Sequence, residues 1–431
     1  MILIKTIINF LLKYKCFQIL FSRCLYIIIF IYNYKKIKKR KKNILVLSSY
    51  RFRDIDNLQL LDKFSLIIIP IRIQYFLFSK YGKFLAKNKE KFFKRNKLIA
   101  KELEIINDFF EYTMSFFIKK IKIKATISAA AYYIQDAIFF SFLKKNNKKI
   151  IIVQRENYGP QQYQSKMIKK KLLDYEPTSA DLILTQNLST KKLFKKMTFY
   201  KNVKISVTGV LRMDNFIKKL KTQKKKTSPN KSIVFFSFTK NSGIDNQNNN
   251  TSISANTTKG LSKFFKNSHN LIIKYAMKNP NLNLIIKHKF GGHFLQEIEN
   301  NWKKYSGKPL PRNCKLTNTE DPHELILKAD LVVAFNSTTI FEAGLKDIPI
   351  IIPFFDEASK KYIKYFNLSE LKNAYTIVDK NEFVQVIDRS IKHFKLNNKI
   401  KTKRLAFFEK YVSSTKGGAS NKVSKEISHI T

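Results

Sequence analysis

The chain has 431 residues, 44% of them hydrophobic, which is enough for two α/β domains and too apolar for overall disorder. Its formal net charge is +51, but only 11 of the 82 basic residues are Arg and no nucleic-acid-binding signature occurs, so no specific nucleic-acid partner is expected. Three Cys without a CxxC pair and six His without an HExxH motif argue against a disulfide scaffold and a zinc site, and they fit a reducing cytoplasm.

The N-terminal segment, residues 1–34, is apolar with scattered bases and precedes a basic run at residues 35–42. Arg23 interrupts the best candidate for a membrane span, and no small-residue cleavage site follows, so neither a transmembrane helix nor a secretory signal is favoured. A helix packed on the first domain is one interpretation. An interfacial helix with a polybasic flank fits better, so we expect residues 1–42 to bind an anionic membrane surface, at the inner face of the cytoplasmic membrane.

Apolar strands alternate with helices over residues 43–217, which predicts a doubly wound parallel sheet. Two carboxylates of this domain are candidates for a general base: Glu156, at the end of a strand, and Asp136, on a helix. A structural ion pair between Arg155 and Glu156 is the alternative. Asp54 and Asp56 form the one Asp-x-Asp pair, but they lie among arginines in a solvated turn, so no metal site is predicted.

The first domain closes with the segment VTGVLRMDNF, residues 207–216. Gly209 would let the backbone turn with a positive φ. Arg212 would face phosphates of a bound ligand, with Asp214 holding the guanidinium. The alternative is a surface turn with a solvated ion pair of little energetic value.

Residues 218–232 are charged and polar and predict a linker, after which a second α/β domain covers residues 233–400. Residues 401–431 are largely helical and are expected to cross back to the first domain. In the second domain, residues 321–357 read as helix, buried strand, polar turn, helix and buried strand, which is a βαβ unit. A standard dinucleotide-binding domain is not supported, because the chain has no G-x-G-x-x-G motif.

The polar turn of this βαβ unit is the main candidate site, because ligands of open α/β sheets bind where strands end and helices begin. A helix N-terminus favours phosphate, and Glu342 lies one helical turn further on, within reach of a sugar hydroxyl. The alternative is an ordinary helix start with Glu342 as a capping-box partner. Lys287 and His288 end a strand at the same edge. They would add a positive charge and a hydrogen-bond donor. The residues predicted to bind such a phosphate-containing ligand are Gly209, Arg212, Lys287, His288, Asn336, Ser337, Thr338, Thr339 and Glu342.

The spacing of Ala329-Asp330, Ser337-Thr338, Glu342 and Pro349 resembles the nucleotide-binding half of GT-B glycosyltransferases. The Lys287-His288 pair, the T-G-x-x-R-x-D segment and the Gly-rich turn at residues 415–427 are similar to elements of capsule and CDP-glycerol transferases, and they occur in the same order. The resemblance implies two Rossmann-like domains facing a cleft. It also implies transfer of a glycosyl or polyol-phosphate group from a UDP- or CDP-linked donor to a glycan or lipid-linked acceptor of surface polysaccharide, without a bound metal or other cofactor.

Two alternatives remain open at this point. A nucleotide-sugar epimerase shares the fold but would need several acidic and His residues at the site. A non-catalytic protein with a GT-B fold that binds polyanions or lipids would show steeply salt-dependent binding and no turnover.

Overall fold

The computed structural model describes residues 14–37, 41–47, 63–88, 100–130, 133–155, 180–196, 202–223, 230–240, 242, 260–289, 291–363, 366 and 368–431. The chain divides into two compact units. Unit 1 comprises Met1–Asn157, Ile168–Asn215 and Gly417–Thr431, and unit 2 comprises Tyr158–Met167 and Phe216–Lys416. The division therefore follows three-dimensional contacts rather than a single cut in the sequence.

Each unit is built on a six-stranded parallel sheet. The strands are β1 (Lys42–Val46), β2 (Phe64–Ile68), β3 (Ile123–Ser128), β4 (Lys149–Val153), β5 (Leu182–Thr185), β6 (Lys204–Val207), β7 (Lys231–Phe236), β8 (Leu282–Lys287), β9 (Cys314–Thr317), β10 (Leu331–Ala334), β11 (Ile350–Pro353) and β12 (Thr376–Val378). Most of these strands are apolar along both faces, since helices cover a parallel sheet on both sides.

Helices alternate with the strands, as the apolar periodicity predicts. They are α1 (Lys15–Asn33), α2 (Ile71–Lys87), α3 (Ala100–Lys120), α4 (Ile134–Lys145), α5 (Leu188–Lys195), α6 (Leu211–Thr222), α7 (Ser262–Lys278), α8 (Gly292–Ser306), α9 (Pro322–Lys328), α10 (Thr339–Ala343), α11 (Phe383–His393), α12 (Asn398–Tyr411) and α13 (Ala419–Ile430). The predicted pair of doubly wound parallel sheets is confirmed.

The two sheets differ in strand order. The order in unit 1 is β2-β1-β3-β4-β5-β6, which is the flavodoxin-like arrangement. The order in unit 2 is β9-β8-β7-β10-β11-β12, which is the arrangement of dinucleotide-binding sheets. The chain lacks the G-x-G-x-x-G motif, so the sequence did not predict a dinucleotide-type sheet. The strand order of unit 2 nevertheless has that arrangement. In unit 2 the direction of winding reverses between β7 and β10, and ligands of this class of sheet bind at that reversal.

Three predicted boundaries differ in detail from the structure. Helix α6 continues to Thr222 and β7 begins at Lys231, so both described ends of the predicted linker are regular structure. Helix α6 extends this far because Met213, Phe216 and Ile217 bury an apolar stripe. In the C-terminal segment predicted to cross back, α12 belongs to unit 2 and only residues from Gly417 onward, including α13, belong to unit 1.

Candidate functional site

Three neighbouring strands of unit 2 end at one edge, where most of the predicted donor-binding residues lie. Strand β7 is paired in register with β10 on one side and with β8 on the other. Ser237 follows β7, Lys287 and His288 lie at the end of β8, and the turn of residues 336–338 follows β10. Since all three strands are parallel, their carboxyl ends bring these polar groups to the point where the winding of the sheet reverses.

The turn after β10 offers hydrogen-bond donors. Asn336 has a φ of +48°, a left-handed conformation that Asn tolerates better than most residues. The hydroxyl and main-chain N–H of Thr339 both donate to Oγ of Ser337, at 2.8 and 3.3 Å. Within the described part of the chain, the main-chain N–H groups of Ser337 and Thr338 donate no hydrogen bond. Successive N–H groups in a turn are a common anion-binding arrangement.

Helix α10, which follows this turn, has only five residues. The macrodipole of a helix sums over its aligned peptide units, so a single turn supplies little of it. Any affinity of this turn for phosphate therefore rests on individual N–H and hydroxyl groups rather than on a helix dipole.

Glu342 is buried and its carboxylate has two described partners. Oε1 accepts a hydrogen bond from the hydroxyl of Thr338 at 3.3 Å, and Oε2 lies 3.3 Å from Nε2 of His323. The imidazole of His323 stacks on the ring of Phe216, with the centroids 4.5 Å apart. Thr338 makes no side-chain cap hydrogen bond to α10. The contacts of Glu342 therefore differ from those of the capping box considered above.

His323 was not predicted as a site residue. It lies in the first turn of α9, whose start is fixed by Asp321: one carboxylate oxygen accepts from the N–H groups of His323 and Glu324, at 2.8 and 3.1 Å. The signal that could have found it is the D-P-H-E sequence. An N-cap Asp followed by Pro marks a helix start, so it places His323 in the first turn of the helix that precedes strand β10.

Lys287 and His288 lie at the predicted edge, but both are buried. Nζ of Lys287 donates to the main-chain carbonyls of His288 and Asn318, at 3.0 and 2.7 Å. Nε2 of His288 lies 3.3 Å from the carbonyl oxygen of Phe238, and its ring stacks on Phe294. The ammonium thus places positive charge at the strand ends while its described contacts are to the main chain.

A second pair missed at the sequence level is Ser237 with His269. Nδ1 of His269 lies 2.6 Å from the carbonyl oxygen of Phe265, to which it can only donate, so Nε2 of the neutral ring accepts from the Ser237 hydroxyl at 2.8 Å. Burial lowers the pKa of His269 to about 3, so the ring stays neutral at physiological pH. The hydroxyl of Ser237 is thereby fixed in orientation at the end of β7.

Of the two predicted catalytic carboxylates in unit 1, Glu156 lies outside the described residues, as do Asp54 and Asp56. Asp136 is fully buried in the first turn of α4. Its two oxygens accept hydrogen bonds from Gln74 at 2.9 Å and from Ser128 at 2.7 Å. These contacts join α2, β3 and α4, which is the arrangement of a structural carboxylate.

The segment after β6 contacts the start of α13 through Asp214. Gly209 has a φ of +88°, as expected for a glycine at a turn, and Arg212 is half-buried in the first turn of α6. The carboxylate of Asp214 accepts hydrogen bonds from the main-chain N–H groups of Ala419 and Ser420, at 3.0 and 2.7 Å. Asp214 thus caps the helix that the Gly-rich turn opens, whereas the sequence predicted that Asp214 holds Arg212.

No protein-family model matches the chain, and no curated protein matches it. Among solved structures, a candidate UDP-N-acetylglucosamine 2-epimerase from Listeria monocytogenes is similar, with a TM-score of 0.50 at 11% identity over 90% of this chain and 96% of that one. The chain has the two-domain GT-B fold. UDP-N-acetylglucosamine 2-epimerase from Neisseria meningitidis bound to UDP-N-acetylglucosamine is also similar (TM-score 0.47, 12% identity, 90% and 99% covered). So is MurG from Acinetobacter baumannii (TM-score 0.42, 10% identity, 90% and 99% covered).

Within this GT-B chain, the described polar groups gather at the reversal point of the unit 2 sheet. In unit 1, by contrast, Asp136 follows β3 and Gly209 follows β6, and these strands are not neighbours in the sheet. Among the residues that the structure describes, no three His, Cys, Asp or Glu side chains lie close enough to hold a metal ion. The polar groups that the structure describes at the unit 2 edge are thus main-chain N–H groups and hydroxyls of the turn, with the buried carboxylate of Glu342 beside them.

Proposed function

We propose that this chain is a transferase that moves a glycosyl or polyol-phosphate group from a nucleotide-activated donor to a surface polysaccharide acceptor. The observation that carries the proposal is the turn at Ser337 and Thr338, where two N–H groups without described partners lie beside Glu342 at the reversal point of a dinucleotide-type sheet. Anion donors and a buried carboxylate at such a point suit the diphosphate and the ribose of a nucleotide.

In this proposal the turn binds the donor diphosphate through the N–H groups of Ser337 and Thr338, with the buried ammonium of Lys287 adding positive charge at the neighbouring strand end. Glu342 accepts a hydrogen bond from a ribose hydroxyl. His323 holds the carboxylate in place, because a buried carboxylate without partners would be costly. Asn336 sets the turn through its left-handed conformation.

The reaction needs stabilisation of the leaving nucleotide and a base for the acceptor hydroxyl. Transfer of a glycosyl group releases the nucleoside diphosphate, and transfer of a polyol phosphate releases the nucleoside monophosphate. Donors fixed before the reaction stabilise the charge that develops on the leaving phosphate. Glu156 is the proposed general base for the acceptor, and Arg212 stays a predicted phosphate ligand.

A nucleotide-sugar epimerase of the same fold is the second candidate. One observation favours it: His269, His288 and His323 all lie near the unit 2 edge, and with Glu342 they supply the His and acidic groups that an epimerase site would want. The two candidates differ in their need for an acceptor. An epimerase changes the sugar of its substrate alone, whereas a transferase releases its nucleotide only when an acceptor is supplied.

The test is thermal stabilisation of the full chain by a panel of nucleoside diphosphates, for the wild type, Glu342→Ala and Glu342→Gln. Glu299→Ala removes the same charge from an exposed position of unit 2 and is the matched control. We expect CDP or UDP to stabilise the wild type and Glu299→Ala selectively, and both Glu342 variants to lose most of the shift. Equal stabilisation by every polyanion, unchanged in the Glu342 variants, would show that charge alone binds them.

A further inference from the structure

Helix α1 packs a side of mixed polarity against unit 1, with Phe21 on Phe76 of α2 and Tyr26 on Phe116 of α3, and it turns an apolar side outward. Three of its five buried side chains are polar; the five are Gln18, Ser22, Leu25, Ile29 and Asn33. The outward face is apolar apart from one Arg and two Cys; it consists of Cys16, Phe17, Ile19, Leu20, Arg23, Cys24, Ile27, Ile28, Ile31 and Tyr32. A helix on the surface of a water-soluble domain normally exposes a polar face instead. A continuous exposed apolar face of this kind marks an interaction surface.

The inward face holds α1 to unit 1 at specific points. Nδ2 of Asn33 donates to the carbonyl oxygens of Ile29 and Ile68, both at 2.8 Å, and its Oδ1 accepts from the N–H of Ile68 at 2.9 Å. The carboxamide therefore pairs with the edge strand β2 much as a further strand would. Tyr26 packs edge-on against Phe116 of α3, with ring centroids 5.5 Å apart. The helix is thus part of the unit and its outward face is fixed in orientation.

The charge next to α1 indicates what covers the outward face. Seven of the eight residues from Lys35 to Lys42 are basic, and the whole chain carries a formal charge of +51. Anionic lipid headgroups complement such a run, and the apolar face beside it can enter the boundary of the acyl chains. A second copy of the chain would bring two such basic runs together, which is unfavourable.

We propose that α1 lies in the plane of an anionic membrane surface, with its outward face inserted into the interface, and that the basic charge that follows α1 in the sequence attracts the anionic headgroups. Within the described residues, α1 is also the one helix long and apolar enough to cross a membrane by length and composition. A span would surround the helix with hydrocarbon, and the amides of Gln18 and Asn33 would then lose their protein environment. The in-plane orientation keeps the inward contacts intact.

The first test is co-sedimentation of the full chain with phosphatidylcholine vesicles that contain phosphatidylglycerol. Ile27→Glu/Ile31→Glu changes two outward side chains that are 53% and 68% exposed, so folding should persist. Leu188→Glu/Ile363→Glu makes the same charge change at side chains 61% and 56% exposed elsewhere, and is the matched control. We expect the α1 variant to bind at least about tenfold more weakly and the control to bind within about twofold of the wild type.

Equal binding of both double variants and the wild type would overturn the proposal, because charge alone would then account for binding. A lipid-free wild-type dimer that Ile27→Glu/Ile31→Glu converts to monomer would also overturn it, since the face would be an interface between copies.

The second test separates an in-plane helix from a span. Cys16 and Cys24 are exposed on the outward face, eight residues apart, which corresponds to about 12 Å along a helix axis. An environment-sensitive fluorophore is attached to each in turn, with the other Cys changed to Ser, and its depth is measured with quencher-labelled lipids. Equal depths at the two positions support the in-plane helix. Depths that differ by about 12 Å would show a span and overturn it.

Discussion

Nε2 of His323 lies 3.3 Å from Oε2 of Glu342, and both side chains are buried between the first turns of two helices of unit 2. The contact joins α9, which precedes β10, to α10, which follows it. A carboxylate in this position is stable only while its oxygens have partners. The pair therefore links the stability of unit 2 to the geometry of the proposed ribose contact.

Replacing His323 should destabilise unit 2. His323→Phe keeps an aromatic ring against Phe216 but removes the nitrogen beside Glu342, which should cost about 1–3 kcal/mol of unfolding free energy. Adding Glu342→Gln should recover part of the loss, because an uncharged amide needs the partner less. Urea unfolding followed by Trp302 fluorescence measures the unfolding free energy of the single and the double variant, since this single Trp lies in unit 2. Strictly additive effects of the two substitutions would show that the side chains are not coupled.

The local pattern of the chain was sufficient to predict the turn beside this pair, but not the pair itself. Strands β10 and β11 are continuous apolar runs with a short helical segment between them, and such a pattern fixes a βαβ unit and the position of its turn. Which side chain faces Glu342 depends on the approach of α9 to α10, and no spacing rule encodes that approach. Ser237 and His269 were missed for the same reason, since they lie on different elements.

Removal of the Asp214 carboxylate should loosen the C-terminal helix. Asp214→Ala leaves the first N–H groups of α13 without their acceptor, which should cost about 1–2 kcal/mol. Asp347→Ala, at an exposed ion pair with Lys401, should change stability by less than about 0.5 kcal/mol and serves as the control. Hydrogen exchange of the C-terminal peptide and urea unfolding measure the two effects. Unchanged exchange in α13 of Asp214→Ala would contradict the capping role.

The sequence contained both halves of this contact as separate motifs. The T-G-x-x-R-x-D segment and the Gly-rich turn are each recognisable, and the positive φ of Gly209 follows from the glycine itself. Asp214 and Ser420 are 206 residues apart in the chain, so only the return of α13 to unit 1 brings them together. A local interpretation therefore assigned Asp214 to Arg212.

The three thiols should differ in reactivity. Cys16 and Cys24 are exposed on α1, whereas burial raises the pKa of the Cys314 thiol to about 12. Because the thiolate is the reactive form, Cys314 should remain almost inert near neutral pH. We expect two thiols to react with a maleimide or a disulfide reagent in the folded protein and three in denaturant. Rapid reaction of a third thiol in the folded chain would contradict the raised pKa of Cys314, which is half-buried.

The stability of unit 2 should depend on pH through His269. Burial lowers the pKa of this His to about 3 in the folded protein, whereas an unfolded chain restores a value near 6.5. Below pH 6.5 the unfolded state takes up a proton that the folded state does not bind. Stability therefore falls as the pH is lowered from about 6.5 towards 3, by about 1.4 kcal/mol per pH unit from this one group.

His269→Gln removes this group, so the wild type should lose about 3 kcal/mol more than the variant between pH 7 and pH 4. His293→Gln replaces an exposed histidine of the same unit and should keep the wild-type pH dependence. Urea unfolding followed by Trp302 fluorescence at each pH gives the comparison. At neutral pH, His269→Gln should be less stable than the wild type, because Gln replaces a ring that hydrogen-bonds both Ser237 and Phe265. The difference in unfolding free energy between the two proteins should become smaller as the pH is lowered. Parallel curves for wild type and His269→Gln would mean that this His has the same pKa in the folded and unfolded states, which would contradict the burial of its ring.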